Sequence, residues 1–189
     1  MRTPFFWIAA AFVAFVPAIT MRLIAEERRT GSIEILSTLP ISPHQIVLGK
    51  WLASVALIAV ALGLTVSYPV ALSQLGDLDL GPVLGGYLGL LLMGAAFASI
   101  GIATSALTRF QLLSFLLATS LCGLPWALGF LLSSFSAEWV TSVQYLTFQY
   151  HFSNLARGVF DTRSVVFFAS IIFISLQVAA FALQRRRLV

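Results

Sequence analysis

The stretch RLIAEERRTGSIEILSTLPISPHQIVLGKW, residues 22–51, concentrates charge in an otherwise apolar chain. It holds seven charged side chains, in a protein that has only 11 Lys and Arg and seven Asp and Glu in 189 residues. Nearly unbroken apolar sequence flanks it on both sides. A charged stretch between two long apolar runs is typical of a loop that joins two membrane spans.

The composition of the whole chain predicts a membrane protein. Hydrophobic residues make up 59% of the sequence and charged residues 10%, compared with roughly 25% charged residues in soluble domains. The chain is long enough for one membrane domain, residues 1–189, but not for an additional nucleotide-binding domain of about 100–200 residues. The net charge of +4 comes from cations beside apolar runs, which predicts membrane orientation and no nucleic-acid partner.

Five segments are long and apolar enough to span a membrane, which takes about 20 residues each. They lie at about 4–24, 49–72, 83–107, 111–132 and 164–184. We therefore predict an all-α, multi-pass protein of the cell (inner, or plasma) membrane, with membrane lipids around it. The loop at 25–48 is predicted to be cytoplasmic, and the segment at 133–163 to lie outside.

Lys and Arg predict the orientation of these spans, because short cytoplasmic loops carry an excess of them. The loop after the first span contains Arg22, Arg28, Arg29 and Lys50, and the tail carries three arginines, 185–187. We therefore expect a cytoplasmic C-terminus and, with five spans, an N-terminus outside. Arg157 and Arg163 in the outer segment run against this rule.

Helix start and stop signals divide the charged loop. The first span is predicted to continue as RLIAEERRT and to break at Gly31. Ser42 is a predicted N-cap, followed by Pro43 at the first helical position and Gln45 in a capping-box position. Between them, an apolar stripe is predicted at Ile33, Leu36 and Leu39.

Two interpretations of this loop are open. It could lie on the lipid surface as an amphipathic element, or it could dock a soluble partner. Lipid-surface helices usually carry a mostly basic polar face, whereas Glu26, Glu27 and Glu34 are mixed here with Arg28 and Arg29. This mixture favours a protein partner.

Three stretches resemble the permease subunits of type-2 ABC exporters, particularly the branch with gliding-motility and nitrous-oxide-reductase-maturation permeases. They are FVPAITMRLIAEERRTGSIEILSTLPISPHQIVLGKWLA, GPVLGGYLGLLLMGAAFASIGIATSALTRFQ and HFSNLARGVFDTRSVVFF. The first is the most specific, since MR, AEER, G, E, LP, S and GK recur there in order. The resemblance covers roughly residues 12–187.

This resemblance implies a six-helix permease fold whose coupling helix docks on a cytoplasmic ABC ATPase. Residues 24–48 would contact the ATPase, and the turn at Arg109 would be a second contact. The implied coupling residues are Glu26, Glu27, Arg28, Arg29, Gly31, Ile33, Glu34, Leu36, Leu39 and Arg109. The family's first span has no counterpart here, so we expect a preceding span to be missing from this sequence.

Three glycines spaced four residues apart, Gly81, Gly85 and Gly89, predict close helix packing in the third span. Packing within the subunit, a dimer seam and a pathway lining all remain open. In the outer segment, Trp139, Val143, Leu146 and Tyr150 fit one helical face, as expected for a helix at the membrane interface. Such aromatic residues also suit the re-entrant outer helices of the family that the chain resembles.

The sequence predicts no catalytic, metal or cofactor site in this chain. HQIVLGKW lacks the first glycine and the Ser or Thr of a phosphate-binding loop, so ATP and Mg²⁺ are expected on the partner ATPase. No Asp, Glu, Lys or Arg lies in the predicted span cores, which disfavours a gradient-driven carrier. We read His44 and His151 as structural, and the single Cys122 excludes an internal disulfide and a multi-cysteine metal cluster.

These observations predict the membrane permease subunit of an ATP-driven ABC exporter, working as a homodimer or as a heterodimer with a second permease. The alternative is a non-transporting membrane scaffold in a motility or maturation complex. An enzyme is not expected, because no Ser, Cys or His is accompanied by the acid–base partners that a hydrolase would need inside the membrane.

Overall fold

The computed structural model describes residues 2–31, 41–74, 79–132, 143–158 and 161–184. Within these ranges the chain forms eight helices and no strand. They are α1 (Arg2–Thr20), α2 (Arg22–Thr30), α3 (Pro43–Thr65), α4 (Ser67–Ser73), α5 (Leu80–Leu107), α6 (Gln111–Leu132), α7 (Phe148–Leu155) and α8 (Thr162–Gln184).

Five helical stretches are long and apolar enough to cross a membrane. They are Pro4–Thr30, Pro43–Ser73, Gly81–Leu107, Gln111–Leu132 and Thr162–Gln184. The predicted all-α membrane fold with five spans is therefore confirmed. The first of these stretches joins α1 and α2, and the second joins α3 and α4.

Helix α5 is the central span, and the other helices pack around it. It contacts α1, α2, α3, α6, α7 and α8. Of its span, 78% is buried inside the protein, compared with 17–39% for the other four. Glycines let these helices approach, since Gly86 of α5 lies against Phe5 of α1 and Gly94 lies against Phe12 and Ile58.

The five spans alternate in direction, as contacts at the two ends of the bundle show. At one end, Ser105 of α5 bonds the start of α2, Lys50 of α3 bonds Glu27, and Arg28 bonds the end of α8. We call this the charged end, comprising α2, residues 41–50, the turn at 108–110 and the end of α8. The opposite end comprises the start of α1, α4, the start of α5, α7 and the start of α8.

The local signals in the charged loop form the predicted structures. Gly31 ends α2 in the left-handed region, with φ of 75°, a conformation that glycine adopts without steric cost. The side chain of Ser42 accepts from the amide of Gln45, and the side chain of Gln45 accepts from the amide of Ser42. With Pro43 at the first position of α3, the predicted capping box is confirmed.

The expected single helical face in the outer segment does not form. The chain turns at residues 145–147, and α7 begins only at Phe148. This helix buries Phe148, His151, Phe152 and Leu155 among α5, α6 and α8, because the aromatic side chains fill space between the spans. Trp139 lies outside the described residues.

Candidate functional site

Helix α2 carries a buried apolar face at the charged end. Ile24 and Ala25 are fully buried. Ile24 packs in a cluster with residues of α3, α5 and α8, namely Val47, Ile102, Ala103, Ala106 and Ala179. Apolar contact alone therefore holds the helix against three spans, and the polar bonds add to this attachment.

A serine of α5 caps the start of α2. The fully buried side chain of Ser105 accepts hydrogen bonds from the amides of Ile24, at 3.1 Å, and Ala25, at 2.9 Å. Its own hydroxyl donates to the carbonyl of Met21 at 3.0 Å. The first amides of a helix have no partner within the helix, so Ser105 supplies one from another span.

Two long basic side chains complete the attachment of α2. Lys50 of α3 donates from Nζ to the carbonyl of Leu23 and to Oε1 of Glu27, both at 2.6 Å. Arg28 reaches the carbonyl of Ala182 near the end of α8, with its Nη2 at 3.4 Å. Helix α2 is thus bonded to α3, α5 and α8, on three sides.

The structure divides the predicted row of coupling residues into two groups. Glu27 and Arg28 bond neighbouring helices of this chain. Arg29 and Gly31 are exposed, and Glu26 is half-buried. The other predicted loop residues, Ile33, Glu34, Leu36 and Leu39, lie outside the described residues.

Arg109 is exposed in the turn between α5 and α6, four residues after Ser105. Since Ser105 touches the start of α2, this turn belongs to the same end of the bundle. Arg22, Arg29 and Arg109 are therefore exposed cations on one end of the protein. Exposed cations with a neighbouring acid suit a docking surface for a protein more than a catalytic centre.

The three spaced glycines differ in what they contact. Gly85 lies against the backbone carbonyl of Leu155 in α7, so closely that a Cβ atom there would overlap it. Gly89 also faces α7, since a Cβ would lie 3.2 Å from that of Leu155. Gly81 is exposed, and a Cβ there would meet only Asp79, at 3.5 Å. Gly85 and Gly89 therefore seat α7 within the subunit.

His151 of α7 is bonded at both ring nitrogens. Nδ1 lies 3.1 Å from Oγ of Ser164, and Nε2 lies 2.9 Å from the carbonyl of Tyr145. The ring stacks on Phe167 with centroids 4.1 Å apart. Burial lowers the pKa of His151, against the opposing effects of the Tyr145 carbonyl and Asp161.

An apolar groove of about 430 Å³ lies over α5 between α6 and α8. Leu107 of α5, Leu121 and Pro125 of α6, and Ile174 of α8 line it, with Phe148 of α7. The hydroxyl of Thr104, also in its lining, is already bonded to the carbonyl of Gly101. Among the described residues, no group of three or more His, Cys, Asp or Glu could hold a metal ion.

Sequence reasoning missed Ser105 as a residue of this site. Gly101 and Ser105 are four apart, and small residues at that spacing let helices approach closely in lipid. That signal identifies a packing face on α5. It does not identify the backbone amides of α2 as the partner, because these depend on how α1 and α5 are placed in three dimensions.

A family model described as ABC-2 family transporter protein matches residues 3–163 of the chain. No curated protein and no solved structure matches the chain significantly. The matched region includes α1 to α7, and with them α2, Ser105, the turn at Arg109 and the glycine seat of α7.

Proposed function

Because this chain belongs to the ABC-2 family of transporter proteins, we propose that it is the membrane subunit of an ATP-driven exporter. The chain is a multi-pass permease component of an ABC transporter. Such permeases are typically non-catalytic and partner with a cytoplasmic ABC ATPase. The proposal adds that a separate ATPase subunit, carrying ATP and Mg²⁺, hydrolyses ATP to drive export.

The proposed ATPase contact is the charged end. The observation that carries this proposal is the three-sided attachment of α2, through Lys50 to α3, Ser105 to α5 and Arg28 to α8. A helix bonded to three spans can pass a displacement to all three. We propose that Arg29, Gly31, Arg109 and Glu26 contact the ATPase, together with Ile33, Glu34, Leu36 and Leu39 of the adjoining segment.

The distribution of cations supports a cytoplasmic location of the charged end. Among the described residues, it holds Arg22, Arg28, Arg29, Lys50 and Arg109, whereas Arg2, Arg157 and Arg163 lie at the opposite end. Cytoplasmic loops carry the excess of Lys and Arg. Helix α8 ends at the charged end, so we propose a cytoplasmic C-terminus, in the plasma (inner) membrane.

The proposed mechanism is mechanical. ATP binding closes two ATPase subunits on each other, and each carries the α2 helix docked on it. Through its bonds to α3, α5 and α8, each α2 then shifts the spans and changes the exposure of a path across the membrane. Two permease subunits, in a homodimer or a heterodimer, would provide the two docking sites.

The experiment is co-purification of the chain with its cognate ATPase, followed by ATPase assay in lipid nanodiscs. Replacing Ile33, Leu36 and Leu39 with Ser should abolish the stimulation of ATP hydrolysis while the permease remains folded. The matched control replaces the exposed residues Tyr68 and Val70 of α4, at the opposite end, with Ser, and stimulation should persist.

Unchanged co-purification and stimulation in the triple variant would refute the docking site. An assembled complex in which the wild-type permease never alters ATP hydrolysis would favour a non-transporting scaffold. The two results are distinguishable because the first concerns the variant and the second the wild-type protein.

A further inference from the structure

The hydroxyl of Ser105 lies within the helical hydrogen-bond ladder at the junction of α1 and α2. In a continuous helix the amides of Ile24 and Ala25 would donate to the carbonyls of Thr20 and Met21. In the structure both amides donate to Ser105, and Ser105 donates to the carbonyl of Met21. The helix is interrupted at Met21, as expected where a side chain enters the ladder.

These three bonds use the full capacity of the serine side chain. A hydroxyl has one donor and two acceptor sites, and all three bonds are 2.9–3.1 Å long, within the usual range. The bonds join α5 to backbone atoms on both sides of the interruption. Ser105 thereby fixes the start of α2 relative to the end of α1.

Gly101, one turn earlier on α5, makes this insertion possible. It lies so close to Thr20 that a Cβ atom would overlap Oγ1 of Thr20. Residues four apart lie on the same face of a helix, so the approach at Gly101 brings Ser105 within reach of the α2 amides. The hydroxyl of Thr20 donates to the carbonyl of Val16 at 2.9 Å.

We infer that Ser105 is a positioning residue that sets the direction of α2 and transmits its displacement to the central span α5. Lys50 and Arg28 also hold α2, but through long side chains with several rotatable bonds. The serine hydroxyl is separated from the α5 backbone by a single carbon atom. A movement of α2 therefore displaces α5 almost directly. The transmission step rests on the proposed function, whereas the positioning step does not.

A pair of nearly isosteric variants isolates the hydroxyl. Ser105→Thr keeps it and Ser105→Val removes it, and both add bulk of similar shape at the same place. Ser105→Ala, which adds no bulk, replaces the Val variant if that variant does not fold. The matched control is Ser99→Ala on the same helix, because Ser99 is equally buried and, in the part of the chain that the structure describes, donates to the carbonyl of Ala96 within α5, at 2.7 Å.

The first measurement uses the permease alone in lipid nanodiscs. Spin labels replace Arg29 on α2 and Arg109 beside α5, in a Cys122→Ala background, and pulsed electron resonance reports their distance distribution.

Losing bonds to two buried amides should raise the population of displaced α2 roughly tenfold. The Val or Ala variant should therefore show a second or broadened distance, and the Thr and Ser99→Ala variants should match the parent. A parent-like distribution in the variant without the hydroxyl would overturn the inference.

The second measurement uses unlabelled permease assembled with the ATPase. The variant without the hydroxyl should bind the ATPase normally, yet stimulate it roughly tenfold less, and Ser105→Thr should restore stimulation. Equal stimulation with and without the hydroxyl would overturn the transmission step. Failure of the wild-type chain to bind any ATPase would refute the proposed function, while the label distances would still decide whether Ser105 positions α2.

Discussion

Helices α2 and α7 are both short and both pack on α5, at opposite ends, but different forces hold them. Directional bonds from Ser105, Lys50 and Arg28 attach α2. The end of α7 lies in a seat formed by Gly85 and Gly89, and at its start the Phe148 ring meets Phe97 with centroids 5.1 Å apart. Directional bonds from three side chains thus add to the buried apolar face of α2, whereas close packing dominates the contacts of α7.

This difference suits the two helices to different tasks. Close packing resists displacement, because many small dispersion contacts must be lost together. The long side chains of Lys50 and Arg28 can change conformation while Ser105 stays bonded to the start of α2 and the apolar face of α2 stays buried. We therefore expect changes in the α7 seat to affect stability most, and changes around α2 to affect coupling to the ATPase most.

The largest expected effect is that of Gly85→Ala. The added Cβ overlaps the carbonyl of Leu155, so α5 and α7 must separate, at a cost of about 2–3 kcal/mol. Thermal unfolding in detergent, followed by size-exclusion chromatography, measures this loss. Gly81→Ala on the same helix is the control, because among the described residues the new methyl group would meet Asp79 at an ordinary contact distance. Equal stability of the two variants would contradict the glycine seat.

Lys50→Met should have a smaller effect on stability and a larger one on coupling. It removes the bonds to Glu27 and to the carbonyl of Leu23, for a loss of about 1–2 kcal/mol. If the comparison holds, ATPase stimulation falls further in Lys50→Met than in Gly85→Ala, although Gly85→Ala unfolds at the lower temperature. The reverse ranking of stimulation would contradict the assignment of coupling to α2 and of stability to the α7 seat.

Acid should loosen α7 through His151. Burial lowers the pKa of this side chain in the folded protein, so the unfolded chain binds more protons below pH of about 6.5. Stability should be level above that pH and fall as the pH drops below it, by at most about 1.4 kcal/mol for each unit of lowered pKa. Thermal midpoints at pH 7.5 and 5.5 measure the fall. His151→Gln, which does not titrate, should reduce the difference; an unchanged difference would exclude His151 as its source.

Arg29→Ala should have the smallest effect on stability. The side chain is exposed at the end of α2, so a change of under about 0.5 kcal/mol is expected. Binding of the ATPase, measured by co-purification, should nevertheless weaken. Arg157→Ala, an equally exposed change at the opposite end, is the control, and weakening by both variants alike would argue against a specific contact.

Much of the fold could be predicted from the sequence because its signals are local. Apolar run length located five spans, Gly31 marked the end of α2, and Ser42 with Gln45 marked the start of α3. These features depend on residues a few positions apart.

The missed features depend on contacts between distant residues. From the sequence, Phe148 and Phe152 resemble interfacial aromatic residues, but in the fold Phe148 packs on Phe97 and Phe152 lies beside Gly89. From the sequence, Glu27 resembles an outward-facing acid, but in the fold α3 places Lys50 beside it. The same limit applies to Ser105, whose partners lie about 80 residues away in the sequence.

The most direct test of the account is photocrosslinking between the permease and its ATPase in a membrane. A photoreactive amino acid replaces Arg29 or Arg109 at the charged end, or Tyr68 or Arg157 at the opposite end. Crosslinks to the ATPase are expected from positions 29 and 109 and none from 68 and 157. Crosslinks from the opposite end, or an assembled complex with none from 29 and 109, would contradict it.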